Sequence, residues 1–450
     1  MGLFDKLRFK GRRVLVVGLD GVPFSLLKRL SEEGKLPNWT KLTDSGSMKR
    51  MNSVHPCVSS VAWATYMTGK NPGKHNIYGF VDRKPGSMDV FIPTSLDMAG
   101  KTLWEILSQA GKKVVVINVP LTFPPREVNG ILISGFLCPN IDKIAHPKEL
   151  AAVLKEMGYR IDVDAWQARK SLDKFLEDLH LTLDKRIETM FHFLEREEWD
   201  FFQLHIMETD RINHFLWGLW EEGDAQYGPE FIKYYQKIDA ILGRISAMPD
   251  RDTRLIILSD HGFCGMKKEV FLNHWLQRKG WLKFRGENPK SVKDIHEESK
   301  AYSLIPGRIY VNLAGRESSG SVRFPDEYER VRDEVKGALL AMGDPGSGEM
   351  IIEKVFKREE LYHGPHYNEG PDLVAIPHNG YDLKGNLDKK ELTYKGPLVG
   401  MHTYDDAFLY IKDMEVRRGD NQFGVMDVMP TVLKLMGVSP PEDLDGEALV

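Results

Sequence analysis

"RRVLVVGLDG", Arg12 to Gly21, is a short, β-branched apolar run closed by glycine, aspartate and glycine. A strand buried on both faces needs continuous rather than alternating apolarity, and the turn residues that follow deliver Asp20 into a loop. The pattern recurs three times: "KKVVVINVP" (112–120) ends in Asn118 and Pro120, "WDFFQLHIMETD" (199–210) ends in Asp210, and "TRLIILSDHGF" (253–263) ends in Asp260 and His261. Between these runs lie helix-like stretches, "KTLWEILSQAG" (101–111) and "SLDKFLEDLHLTLDKRIETMFHFLERE" (171–197), the second with apolar residues at helical spacing. Strand and helix in alternation predict an α/β fold built on a doubly wound, mostly parallel sheet. In such sheets ligands bind beyond the carboxyl ends of the strands, so the acidic and imidazole groups at three of these ends are expected on one edge.

The rhythm breaks from about Met266 to Gly396, where "IPGRIYVNLAGRE" (305–317) reads as a turn, a strand and a loop. This segment, approximately 266–396, is expected to be a cap or subdomain inserted within one α/β domain running 1–450. "NPKSVKDIHEESK" (288–300) and "GDPGSGEM" (343–350) read as exposed connections.

A formal net charge of −4 over 450 residues gives no general basic field, which argues against tracking along polymeric nucleic acid or an anionic membrane. The three cysteines, Cys57, Cys138 and Cys264, are odd in number and widely spaced, so they form neither a disulfide framework nor a CxxC metal site. No run is long enough to span a bilayer, and the N-terminus lacks the apolar core of a secretory signal. The expectation is a cytoplasmic protein, with "GLFDKLRFKGRR" (2–13) as a solvated leader rather than a turn that touches membrane.

Four places along the chain offer aspartate, histidine or both. Asp260 and His261 are adjacent where a buried strand turns, and oxygen with imidazole suits Zn²⁺ or Mn²⁺. Asp210 and His214, four apart at the start of a helix in "ETDRINHFLWG" (208–218), share one helical face. Asp20 after the first strand and His402 in "GMHTYDDAFLY" (400–410) complete the set. "VSSVAWATYMTGKNPGKH" (58–75) puts two serines where a helix begins, and the unpaired amides of a first turn favour a bound anion or a forming alkoxide. A serine there is either a cap or a nucleophile. Trp63, Tyr66 and Met67 read as core, His75 as the residue that fixes the turn, and His363 and His366 as hydrogen-bonded loop histidines.

These motifs together resemble the alkaline phosphatase superfamily, and within it the type I phosphodiesterase/nucleotide pyrophosphatase family. The resemblance runs from "VVGLDGVP" (16–23) through "VAWATYMTGKNPGKHNIYGF" (61–80), "TDRINHFLW" (209–217) and "LSDHGF" (258–263) to "VMDVMPTVLKLMGVSPPEDLDGEAL" (425–449). It implies Asp20, Asp260 and His261 as ligands of one divalent ion that also meets the nucleophile, and Asp210, His214 and His402 as ligands of a second. The nucleophile falls on Ser59, with Ser60 as its neighbour. It further implies two metal ions, Zn²⁺ first and Mn²⁺ as the alternative, no organic cofactor, and a small phosphoester substrate, a nucleotide among the candidates.

Two positions depart from the family pattern. Diesterase members usually carry threonine where this chain has Ser59, and the nucleotide pyrophosphatases carry an oxyanion-binding asparagine where this chain has Phe80. The implied mechanism is two-metal phosphodiester hydrolysis through a phosphoseryl intermediate. The alternatives are a phosphomonoesterase or phosphotransferase on the same site, and a metal-binding interaction protein without catalysis. A sulfatase ranks below these, because "CVSSVA" (57–62) lacks the proline and arginine of that signature. Arg211 is expected to point away from the face of Asp210 and His214 and to make a surface salt bridge.

Overall fold

The computed structural model describes residues 13–248 and 252–450. The leader expected at 2–13 therefore lies, Arg13 apart, outside the described residues. Eight strands form the central sheet: β1 (Arg13–Leu19), β2 (Gly46–Met51), β3 (Val114–Ile117), β4 (Gly130–Ile133), β5 (Ala145–His146), β6 (Phe201–Ile206), β7 (Thr253–Leu258) and β8 (Ala407–Lys412). Their order is β2-β8-β7-β1-β6-β3-β4-β5. The five inner strands from β7 to β4 are mutually parallel, whereas β8 runs antiparallel to β7 and β5 antiparallel to β4.

Side chains alternate across the sheet, so β1 feeds two cores. Leu15, Val17 and Leu19 enter one face, and Val14 and Val16 enter the other. The second face is covered by α1 (Ser59–Thr68), whose ten residues are all buried, as a helix apolar on every side must be. Gly69, at φ 64°, ends it in the left-handed conformation that glycine adopts without strain. Covering the first face are α2 (Leu172–Arg196), α3 (Glu208–Glu221) and α4 (Tyr227–Ala247). The Ser171 hydroxyl caps α2 by accepting from the Lys174 amide.

Between β7 and β8 the chain leaves this sheet. Gly262–Gly265 pairs antiparallel with Gly400–Thr403, and beyond that two-stranded ribbon lies a separate antiparallel sheet. Its strands are, in order, Ala301–Leu304, Arg308–Val311, Leu373–Pro377 and Ile352–Lys357. They pack with the helix Asp326–Leu340 around a core of their own that includes Tyr302, Tyr310, Val335 and Leu373.

The register decides the chemistry. Leu19 lies opposite Ile206 and Gly18 opposite Leu258, so β1, β6 and β7 end together, and Asp20, the start of α3, and Asp260 emerge side by side.

Candidate active site

Asp20, Asp260 and His261 are fully buried, and their ligand atoms all lie within 4.8 Å of one another. Gly21, at φ +64°, makes the turn that brings them together. A Cβ there would lie 3.0 Å from both His261 and Phe263. Its amide donates to Asp260 Oδ1 at 3.1 Å. Asp210, His214 and His402 form a second group on the same scale, assembled from the first turns of α3 and the strand Gly400–Thr403.

The histidines share one arrangement. His261 Nδ1 donates to the Gly262 carbonyl at 3.0 Å, His214 Nδ1 to Gly400 at 3.0 Å, and His402 Nδ1 to Cys57 at 3.2 Å. A carbonyl only accepts, so each Nδ1 carries the proton and each Nε2 lone pair faces the site, as a ligating imidazole requires. The Nε2 atoms of His214 and His402 are 3.1 Å apart, and that of His402 is 3.1 Å from Asp210 Oδ1. Two lone pairs at that distance repel unless a proton or a metal ion lies between them. Both groups therefore fit a divalent cation by donor type and orientation, not by acidity alone.

Ser59 opens α1 and joins the first group. Its Oγ donates to Asp20 Oδ1 at 3.0 Å and lies 3.3 Å from His261 Nε2. Ser60 is buried, and its hydroxyl has no hydrogen-bond partner among the described residues.

Sequence reading missed several residues that hold these groups. Trp63, read as core, does pack there, but its indole Nε1 also donates to Asp20 Oδ2 at 2.8 Å. His205 Nε2 donates to the same oxygen at 2.9 Å. With Oδ2 doubly occupied, Asp20 is left to face Ser59 through Oδ1. Gly18 makes the approach of Trp63 possible, since a Cβ there would lie 2.5 Å from the indole ring. The Thr209 hydroxyl donates to the Asp20 carbonyl at 2.7 Å, and the Asn213 amide to that of Gly21 at 2.8 Å. The available signal was "FFQLHI" (201–206), where Gln203 and His205 interrupt an apolar strand at alternate positions and so share one face.

Arg211 corrects an expectation. Only 13% of its side chain is exposed, and it folds back to donate to Asp210 Oδ2 at 3.1 Å and to Asp162 at 2.6 Å, with its guanidinium over the Phe136 ring. The first turn of α3 lies against the segment carrying Asp162, so the direction that was to be solvent is occupied by a carboxylate. Phe136 in turn meets Phe80 edge to face at 5.6 Å. His363 hydrogen-bonds Asp445 away from both groups, and His75 bridges Thr65 and the Ile77 amide within its turn.

Burial and charge set the protonation of the site. Burial, then the adjacent Asp20 charge, drives Asp260 well above the usual carboxylate range. Burial would raise Asp210 too, but His214, His402 and Arg211 outweigh it and hold Asp210 below that range. Burial pushes His261 down to about 3 and His214 down to about 4, the neutral forms that ligate metals. His402 moves upward, because the hydrogen bond and charge of Asp210 outweigh its burial.

Burial and the Asp20 charge favour a proton on Asp260, and Asp210 favours one on His402, so a divalent ion entering either group would compete with protons and its affinity is expected to rise with pH. We expect the apparent Kd for a divalent metal to fall as pH rises, measured by competition with a chelator of known pH dependence. A pH-independent Kd would contradict this.

A model of the family described as type I phosphodiesterase / nucleotide pyrophosphatase matches residues 14–405. Comparison with curated proteins found no match. Among solved structures, phosphonoacetate hydrolase from Sinorhizobium meliloti 1021 in complex with phosphonoformate is 16% identical with a TM-score of 0.66, covering 95% of this chain and 96% of that one. Human ectonucleotide pyrophosphatase / phosphodiesterase 5 is 16% identical with a TM-score of 0.55, covering 96% of this chain and 97% of its own. At such identities the likeness is one of fold.

Proposed function

The chain belongs to the type I phosphodiesterase / nucleotide pyrophosphatase family, a family of phosphoester hydrolases, and we propose that it cleaves phosphodiesters with Ser59 as nucleophile. The observation that carries this reading is the position of Ser59 Oγ, 3.0 Å from Asp20 Oδ1 and 3.3 Å from His261 Nε2 at the mouth of a buried helix. Val58, which precedes the helix, supplies no side-chain cap and its carbonyl accepts from the Val61 and Ala62 amides, so the amides of Ser59 and Ser60 are the ones that would meet phosphoryl oxygens.

Asp20, Asp260 and His261 would hold one divalent ion and Asp210, His214 and His402 the other; the mixed carboxylate and imidazole set favours Zn²⁺, with Mn²⁺ second. When bound, such ions lower the pKa of a hydroxyl nucleophile and neutralise charge on the attacking and leaving oxygens. The remaining work falls to the chain. Asp20, fixed by His205 and Trp63, orients Ser59 through its free oxygen. The Ser59 oxygen then attacks phosphorus in line, the P–O bond to the alcohol breaks, and a phosphoseryl ester forms. Water attacks that ester from the side of Asp210, His214 and His402, releasing a phosphomonoester and restoring the serine hydroxyl.

Residues 266–396 act as the cap in this reading, and a cytoplasmic setting belongs to it, supported by three free cysteines. Among the described residues no helix is long and apolar enough to cross a membrane. The substrate is a small phosphoester, and nucleotides are among those to be tried.

A phosphomonoester dianion brings a third unsubstituted oxygen and more charge. Arg211 is committed to two carboxylates, and Phe80 presents an apolar ring. We therefore expect methyl 4-nitrophenyl phosphate to exceed 4-nitrophenyl phosphate in kcat/KM by at least roughly tenfold, about 1.4 kcal/mol of transition-state stabilisation, in one fully metallated preparation. Equal rates or a monoester preference would favour the phosphomonoesterase reading instead. No turnover of either would favour a binding protein.

A further inference from the structure

One cavity of about 630 Å³ adjoins the site, and it does so from one side only. His214 and His402 line it, whereas Asp20, Ser59, Asp260 and His261 do not. It therefore opens beside the group opposite the nucleophile, where an in-line displacement directs the departing alcohol. Val58, Phe80, Leu398 and Met401 form the wall on the sheet side, and Ile305 and Ile376 stand among those on the other.

The two walls are tied together. Arg308, fully buried, donates to the Val81 carbonyl at 2.6 Å, to the Ile305 carbonyl and to the Asp82 carboxylate. The turn carrying Ile305 is thereby clamped to the segment carrying Phe80. Its charged lining does not call for an anion. Glu353, Asp382 and Asp405 outnumber Lys354 and Lys384 by three to two, and Lys384 is neutralised by Asp382 at 2.5 Å. Away from His214 and His402, a nucleotide or diphosphate leaving group would meet a wall with no excess of lysine over carboxylate.

We propose that this cavity receives the departing alcohol and selects phosphodiesters whose leaving group is an uncharged aliphatic chain. The inference rests on the phosphodiesterase reading above and deepens it.

The test uses the metallated full chain and a series of methyl n-alkyl phosphodiesters from ethyl to decyl, with the released alcohols identified by gas chromatography. The long alcohol, not methanol, is the expected product. Its kcat/KM is expected to rise about two- to fourfold per methylene until the cavity is filled, the range set by burying one CH₂ group. A matching series of n-alkyl methylphosphonates, as inhibitors of methyl 4-nitrophenyl phosphate turnover, is expected to gain affinity with the same slope. Ile376→Trp, which narrows the cavity, should lower the decyl-to-ethyl ratio at least tenfold. A flat series, predominant methanol release, or a ratio indifferent to Ile376→Trp would overturn the proposal while methyl 4-nitrophenyl phosphate is still turned over. Loss of turnover on that compound as well would instead overturn the phosphodiesterase reading on which the proposal stands.

Discussion

Replacing Ser59 with alanine is expected to lower kcat on methyl 4-nitrophenyl phosphate by at least about a thousandfold, the scale on which a nucleophile's removal registers. The hydroxyl is one small group in a site otherwise held by three ligands and by the packing of α1, so metal content should stay near two ions per chain and the fold should persist. Ser60→Ala is the control. Its hydroxyl makes no hydrogen bond among the described residues, so its loss should change kcat less than about threefold. Steady-state kinetics and elemental analysis on both variants decide the matter. If Ser60→Ala were inactive and Ser59→Ala active, the nucleophile would be misassigned by one residue.

The second large effect is expected at Asp210. Its Oδ1 meets His402 at 3.1 Å and His214 at 3.4 Å, and its Oδ2 meets Arg211, so Asp210→Ala removes the only anionic ligand of that group and leaves two imidazoles beside a guanidinium. Cationic repulsion then works against any ion between the histidines. We expect metal content to fall from two ions to one and kcat to fall by at least about a hundredfold, since the leaving oxygen and the attacking water lose their partner. An active variant that retains two ions would mean that Asp210 is not a ligand. Full activity with one ion would remove the two-metal mechanism altogether.

Four of the five inner strands, all but β4, were readable in the sequence because burial on both faces leaves a continuous apolar run, as in β1 and β7, and the polar residue ending each run marks the sheet edge. Asp210 and His214 were readable as a pair because helical spacing alone puts them on one face. The edge was not. In β2, "GSMKRM" is half-exposed along most of its length and carries no apolar run, so its pairing with β8 comes only from tertiary contact. The direction of Arg211 depends on Asp162, far away in sequence, and local spacing could not supply it. His205 was passed over for a different reason. A histidine inside an apolar strand is as compatible with a satisfied core residue as with one that steadies a ligand, and only the position of Asp20 separates the two.

The two-stranded ribbon of Gly262–Gly265 and Gly400–Thr403 bears on how such a protein can diversify. It places His261 at one end of the excursion and His402 at the other, and the two rings stack at 3.8 Å across its base. Loops between these ends can therefore be lengthened, shortened or exchanged while the base stays shut. Doubling a loop of this kind costs only about 0.6 kcal/mol in closure entropy. Descent can then act on two parts at separate rates. A lineage could inherit the reacting groups unchanged and trade one excursion for another, and with it one alcohol for another.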